Sequence, residues 1–285
     1  MVNNIGYFDK ETNADIFVLK NLDRAYRTMA EMAYVRRLDE IAKIWLESGV
    51  NEKNLIVTLA TKQNNPNLTQ SMLAYAKKND SLKRVDAIAT PAYFFGCFGD
   101  LKVDDKIIRP LKFGPCKGIS KGVLNAKTAQ DIIDVLKDPQ NPKGIEGIRK
   151  EIIAHKAVIA KNDSRIQLVI YEGGHHLALA NLGRNQRKYI DNHPELKAEK
   201  LALFMEAIEH EGMGEITKGL YNVWLDEGGT VFNNFYMPQT FHEWGSLGLS
   251  LSIGDLKTPR YLAAAAYALI FEKREAERKA KILNQ

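Results

Sequence analysis

The chain has 285 residues, of which 45% are hydrophobic, 26% charged and 9% aromatic. That composition excludes wholesale disorder and collagen-like or coiled-coil architectures, and the length suits one large domain or two small ones. The 40 Lys and Arg against 35 Asp and Glu leave a net charge of +5, too thin for a nucleic-acid-binding stripe, and the 2 cysteines cannot build a disulfide framework or a four-ligand zinc site.

The amino-terminal stretch 1–17 has no basic region followed by an apolar run, and no segment reaches the ~18 apolar residues of a membrane span. The chain is therefore expected in the cytoplasm, with Cys97 and Cys116 reduced and no membrane partner. If an upstream segment carries a signal the expectation becomes extracellular, and two cysteines 19 positions apart in one glycine-rich loop could then pair.

In chain order, the first helix is predicted over 20–48, where Ala25, Met29, Met32, Ala33, Leu38, Ile41, Ile44 and Trp45 recur at helical spacing and Gly49 follows as a C-cap. A buried strand is predicted at 55–60, a helix at 68–78 and a second strand at 85–90. A long loop insertion over 94–126 leads to helices at 128–137, where Thr128 and Asp131 form a capping box, and at 144–161. The third strand is 166–171; after a long connection over 172–194 come helices at 195–209 and 213–226. A fourth strand at 230–236 and a connection over 237–257 precede a last helix at 258–280, with Pro259 suited to its first turn.

Continuous rather than alternating apolar strands, separated by helices, imply a parallel sheet covered on both faces. Long connections after the strands and short returns before them suit an α/β fold of the parallel (β/α) barrel type, whose active sites sit at the carboxyl ends of the strands. Only four strand–helix units are present, where a closed barrel needs eight. The expectation is a single domain over 1–285 with the structure of a half-barrel.

The sharpest local feature is Tyr171-Glu172-Gly173-Gly174-His175-His176, where an acid stands at the end of an apolar strand and two glycines leave space above it. An unpaired buried carboxylate is costly, so Glu172 either does chemistry or hydrogen-bonds a loop backbone. Tyr93, beyond the second strand, would share that rim and could orient the acid, or serve as an aromatic lid. Glu243 is the other acid placed on the rim, and Trp244 beside it could stack on a sugar ring or belong to the core. His175, His176 and Tyr236 complete the candidate substrate-binding set. No HExxH or Cys/His cluster, no GxSxG elbow and no phosphate loop is present, so no metal, nucleotide or other cofactor is expected.

Four ordered stretches carry a resemblance. They run from Val85 to Gly96, from Leu168 to Leu177, from Gly212 to Gly229, and from Trp244 to Gly248 together with Thr258-Pro259-Arg260-Tyr261. Over roughly 30–265 the chain resembles bacterial TIM-barrel proteins related to clan A glycoside hydrolases, a group often labelled cellulose-binding or glycosidase-like. The resemblance implies that Glu172 ends the seventh barrel strand as the nucleophile and that Tyr93, after strand six, orients it. It also implies an Asn-Glu acid/base after strand four, which this sequence lacks, since Asn51-Glu52 precedes a strand. The chain thus matches the carboxyl-terminal half of such a barrel, which implies a homodimer, a separate amino-terminal half or an incomplete gene product. The implied function is a glycoside-hydrolase-like protein acting on or binding polysaccharide; the alternatives are a non-catalytic carbohydrate-binding or structural module, and an enzyme in which Glu243 replaces the missing acid.

Overall fold

The four apolar runs all enter one sheet. In the computed structural model, which describes residues 23–103, 105–109, 116–242, 245 and 247–283, they form β1 (Thr58–Ala60), β2 (Ala87–Phe94), β5 (Gln167–His175) and β6 (Phe232–Asn234). The sheet is parallel with order β1-β2-β5-β6, which is the order of these strands along the chain. Its outer strands, β1 and β6, do not pair with each other, so the barrel is not closed. Eight α-helices accompany the sheet among the described residues, and none is long and apolar enough to cross a membrane.

Strand limits differ from the sequence pattern in an instructive way. The run at 55–60 starts late because 52–54 is a 3-10 turn, with the Asn51 side chain accepting from Lys53 N at 2.9 Å. At the other end, β2 and β5 continue past the apolar runs that announce them, so Tyr93 and Glu172 lie inside strands rather than beyond them.

The chain separates into two compact units, Met1–Thr90 with Ala154–Val169, and Pro91–Ile153 with Ile170–Gln285. In the first, α1 (Asp23–Glu47) packs on α2 (Pro66–Lys78), and β1 pairs with β2 in the register Thr58↔Ala87 to Ala60↔Ala89. Asp86 is structural, its carboxylate accepting from Val57 N at 2.7 Å. The core here is Leu59, Met72, Leu73, Ala76 and Ile88, and each of its Leu, Met and Ile side chains contributes ~1.5–3 kcal/mol by leaving water. The helical stripe expected of α1 is not the face that is buried: Val35 and Ala42, outside it, are buried, whereas its Met32, Ile41, Ile44 and Trp45 are exposed, Trp45 by 53%. His155 is buried between the Thr69 hydroxyl and the Gln63 carbonyl, each 2.9 Å away.

In the second unit, α3 (Ala129–Lys137) starts at the expected capping box, with Thr128 Oγ1 accepting from Asp131 N and Asp131 Oδ2 accepting from Thr128 N. The caps satisfy donors that would otherwise be orphaned at the helix start. Helix α6 (Pro194–Glu209), helix α7 (Glu211–Asp226) and helix α8 (Pro259–Leu283) cover a core of Phe94, Ile132, Ile133, Phe204, Leu220, Tyr221 and Trp224. Helices α7 and α8 pack at Gly214, where an added Cβ would lie 2.8 Å from Pro259.

Five elements escaped the pattern. Helix α5 (Arg184–Asp191) sits in the 172–194 connection and buries only Gln186 and Ile190, too little for a visible apolar stripe. The 94–126 insertion holds an antiparallel hairpin, β3 (Leu101–Val103) with β4 (Lys106–Ile108). The 237–257 connection contributes β7 (Tyr236–Pro238) and β8 (Gly248–Ser250), which pair in parallel. The expectation of reduced cysteines is also corrected: Cys97 and Cys116 form a disulfide, and no described cysteine is free. Their Cα atoms lie 5.5 Å apart, within the span a disulfide bridges.

Candidate functional site around Glu172

In a regular strand, neighbouring side chains point to opposite faces. β5 breaks that rule. Its pairing with β6 passes from Ile170↔Phe232 to Gly173↔Asn234, three positions on β5 against two on β6. The extra residue is a bulge, a device that re-aims side chains, and here Tyr171 hydrogen-bonds the carboxyl of its own neighbour, Glu172. Tyr93, on the adjacent strand β2, supplies a second hydroxyl to the same carboxyl.

Burial is the main influence on Glu172 and pushes its pKa above the usual glutamate value; the hydrogen bonds from Tyr171 and Tyr93 oppose it, and burial prevails. Burial disfavours the charged form, while phenolic donors favour it. Among the described residues, no second carboxylate figures in the electrostatics of Glu172.

The two glycines have separate reasons. A Cβ on Gly173 would stand 2.7 Å from the Phe232 ring and 2.9 Å from the Ala92 carbonyl, so only glycine lets β5 approach its neighbours there. Gly174 has φ +129, a conformation L side chains rarely adopt, and nothing lies within 4 Å of where its side chain would be.

An aromatic wall flanks the carboxyl. The Tyr93 ring lies 5.3 Å from His176 and 6.0 Å, edge-on, from Phe235. Phe95 stands 6.4 Å from His176. His176 N–H donates to the Phe94 carbonyl at 2.8 Å, which holds β5 against β2 at this end. Burial lowers the His176 pKa, so the ring is neutral near pH 7.

His175 is a correction. Expected to contact substrate, it is instead 3% exposed, tilted against Phe94 and hydrogen-bonded by the Arg260 guanidinium. Arginine only donates, so His175 Nε2 accepts and the ring is the neutral Nδ1–H tautomer. Its pKa is held well below the usual value by burial first and by Arg260 second. Arg260 also donates to the Gly248 carbonyl, and burial draws its own pKa down to about 10. The pair is a buried fastener between β5, β8 and α8, out of reach of a saccharide.

Tyr236 opens β7, where it pairs with Gly248. Glu243 and Trp244 lie outside the described residues. Two members of the site went unread in the sequence. Phe235 carried no local signal. Tyr171 stood next to Glu172, but strand alternation placed it on the other face, and only the bulge brings it round. Among the described residues, no group of three or more His, Cys, Asp or Glu side chains could hold a metal ion.

What remains is a half-buried carboxyl with two phenolic donors, an aromatic wall and open space at Gly174. Such a group can hydrogen-bond sugar hydroxyls or attack an electrophilic carbon, and flat aromatic faces suit the apolar faces of sugar rings. No family model and no curated protein matches the chain. Among solved structures it is similar to AbfB, a family 51 alpha-L-arabinofuranosidase from Bifidobacterium longum, with 11% identity and a TM-score of 0.48. That match covers 84% of this chain and 41% of the arabinofuranosidase, so the chain spans less than half the length of that enzyme.

Proposed function

We propose that the protein acts on polysaccharide through a glycoside-hydrolase-like site in which Glu172 is the nucleophile and Tyr93 and Tyr171 orient it. The observation that carries this reading is the convergence of two phenols from β2 and β5 on one half-buried carboxyl. Two donors fix the direction of a carboxylate and stabilise its charged form, which is what attack on an anomeric carbon requires. Hydrolysis normally employs a second carboxyl, ~5–5.5 Å away for retention and ~6.5–9.5 Å for inversion. Glu243 is the residue proposed for that part.

A second reading, a non-catalytic carbohydrate-binding module, is favoured by one observation: among the described residues, no second carboxylate influences the titration of Glu172. Both readings leave the outer strands β1 and β6 with one neighbour each, and we propose that a second copy or a separate half-barrel completes the sheet. Sedimentation of a stable monomer at micromolar concentration would remove that part.

A panel of aryl glycosides and oligosaccharides, assayed for both binding and cleavage, decides between the two. Cleavage that falls by about 10⁴-fold in Glu172→Gln while binding persists establishes the enzyme. Binding without cleavage by the parent chain establishes the module, and no saccharide bound by either protein ends both readings.

A further inference from the structure

The 94–126 insertion builds a second concavity in the same unit, independent of Glu172. It is a cleft of about 390 Å³ lined by Lys102, Leu124, Asn125, Ala126, Lys127, Glu199 and Lys200. Ligand sites are commonly of this order. The buried Leu124 and Ala126 supply an apolar floor, while Lys102 and Lys127 are exposed at the rim.

Its walls are cross-tied. The disulfide between Cys97 and Cys116 closes the insertion. The buried Gln186 side chain donates to the carbonyls of Gly99 and Ile108, at 2.8 and 3.1 Å, and so ties down both ends of the β3–β4 hairpin. Asn125 bridges the loop, donating to the Asp100 carbonyl at 2.8 Å and accepting from Gly122 N at 3.0 Å. At Gly122 a Cβ would fall 2.1 Å from the Cys97 carbonyl, so the two arms of the loop meet as bare backbone.

The charge in the cleft is unbalanced. Three lysines and one glutamate line it. Lys200, from α6, has a side chain only 10% exposed, and its Nζ lies 3.0 Å from Glu199 Oε1, a carboxylate that is itself 64% exposed. Lysine is rarely buried to this degree unless paired, since removing its charge from water is costly. An ammonium has three donors, and Glu199 engages one of them. Asp131, which caps α3 by accepting from the backbone N–H groups of Lys127 and Thr128 at 2.9 Å each, also feels the charge of Lys127 and balances it in part.

We propose that this cleft binds an oxyanion, the carboxylate or sulfate of an acidic saccharide or the free anion itself, with Lys102 and Lys127 closing on it and Lys200 beneath. The apolar floor accepts the C–H face of a ring and the lysines accept its charge.

The test is calorimetric titration of the full chain with inorganic sulfate, with trigalacturonate and with a neutral trisaccharide. Sulfate or trigalacturonate should bind, more weakly as salt is raised. The exposed pair Lys102→Gln/Lys127→Gln should weaken that binding by about tenfold with the fold intact by circular dichroism. Tighter binding of trigalacturonate than of sulfate identifies an acidic saccharide, and the reverse identifies a free anion. Failure of both anions to bind, or undiminished binding by the double variant, overturns the proposal. Glu172→Gln should leave anion binding unchanged, which separates this cleft from the site at Glu172.

Discussion

The hydroxyl of Tyr93 on β2 hydrogen-bonds the carboxyl of Glu172 on β5. The two strands are neighbours in the sheet although helices α3 and α4 (Ile145–Asn162) intervene in the chain. Parallel pairing requires such a crossover, and it brings a phenol and an acid together from distant parts of the sequence. The partnership helps orient the acid and, with Tyr171, opposes the burial that raises its affinity for a proton.

Because the phenols favour the ionised carboxyl, Tyr93→Phe and Tyr171→Phe should each raise the Glu172 pKa beyond its already elevated position. Carbon-13 NMR titration of the glutamate carboxyls reads this directly. If the parent chain cleaves a glycoside, Tyr93→Phe should lower kcat/KM by roughly 10–100-fold, the worth of one hydrogen bond to a charged group. An unmoved Glu172 titration in both variants would break the assignment.

Removing the half-buried charge should stabilise the fold. A carboxyl whose folded pKa is raised contributes stability that is present below its unfolded pKa, near 4.5, and lost as pH rises through the folded value. Glu172→Gln should therefore have a higher Tm than the parent at pH 7, and the gap should close as pH falls below 4.5. Thermal melts across that range test the sign.

The two histidines work in the opposite direction. His175 and His176 both have folded pKa values below the ordinary 6.5, His175 well below it through burial and Arg260. Their contribution is complete above pH 6.5 and is lost as pH falls below it, because the unfolded chain takes up the protons first. Urea denaturation midpoints should decline from pH 7 to pH 5, and His176→Gln should flatten part of that decline.

Gly173 and Gly174 should fail differently as alanines. Gly173→Ala places a Cβ against Phe232 and the Ala92 carbonyl and should cost ~1–3 kcal/mol by overpacking. Gly174→Ala meets open space, so its cost is backbone strain at φ +129, also on the order of 1–3 kcal/mol, and its side chain would intrude on the space beside Glu172. Denaturation should report both losses, whereas saccharide binding per folded molecule should suffer more in Gly174→Ala.

Thiol titration of the denatured, unreduced protein should detect no free cysteine. Reduction should expose both and lower stability by ~3 kcal/mol, the entropy of closing a loop of this length in the unfolded chain. Two reactive thiols before reduction would contradict the pairing.

The sequence by itself determined the four parallel strands, the capped start of α3 and the helix at Pro259, because each follows from the chemistry of residues adjacent or one helical turn apart. Apolar runs bury themselves, and Thr128 reaches Asp131 within a single turn. Only the tertiary structure decided what those residues meet. His175 and His176 are adjacent and alike on paper, yet one is locked behind Arg260 and the other faces Tyr93. Tyr171 joins Glu172 because β5 gains a residue against β6, a count that depends on the partner strand and leaves no mark in its own letters. The hairpin held by Gln186 and the lysine-lined cleft likewise depend on segments far apart in the chain, whose encounters are set by the packing of the whole unit rather than by any local preference.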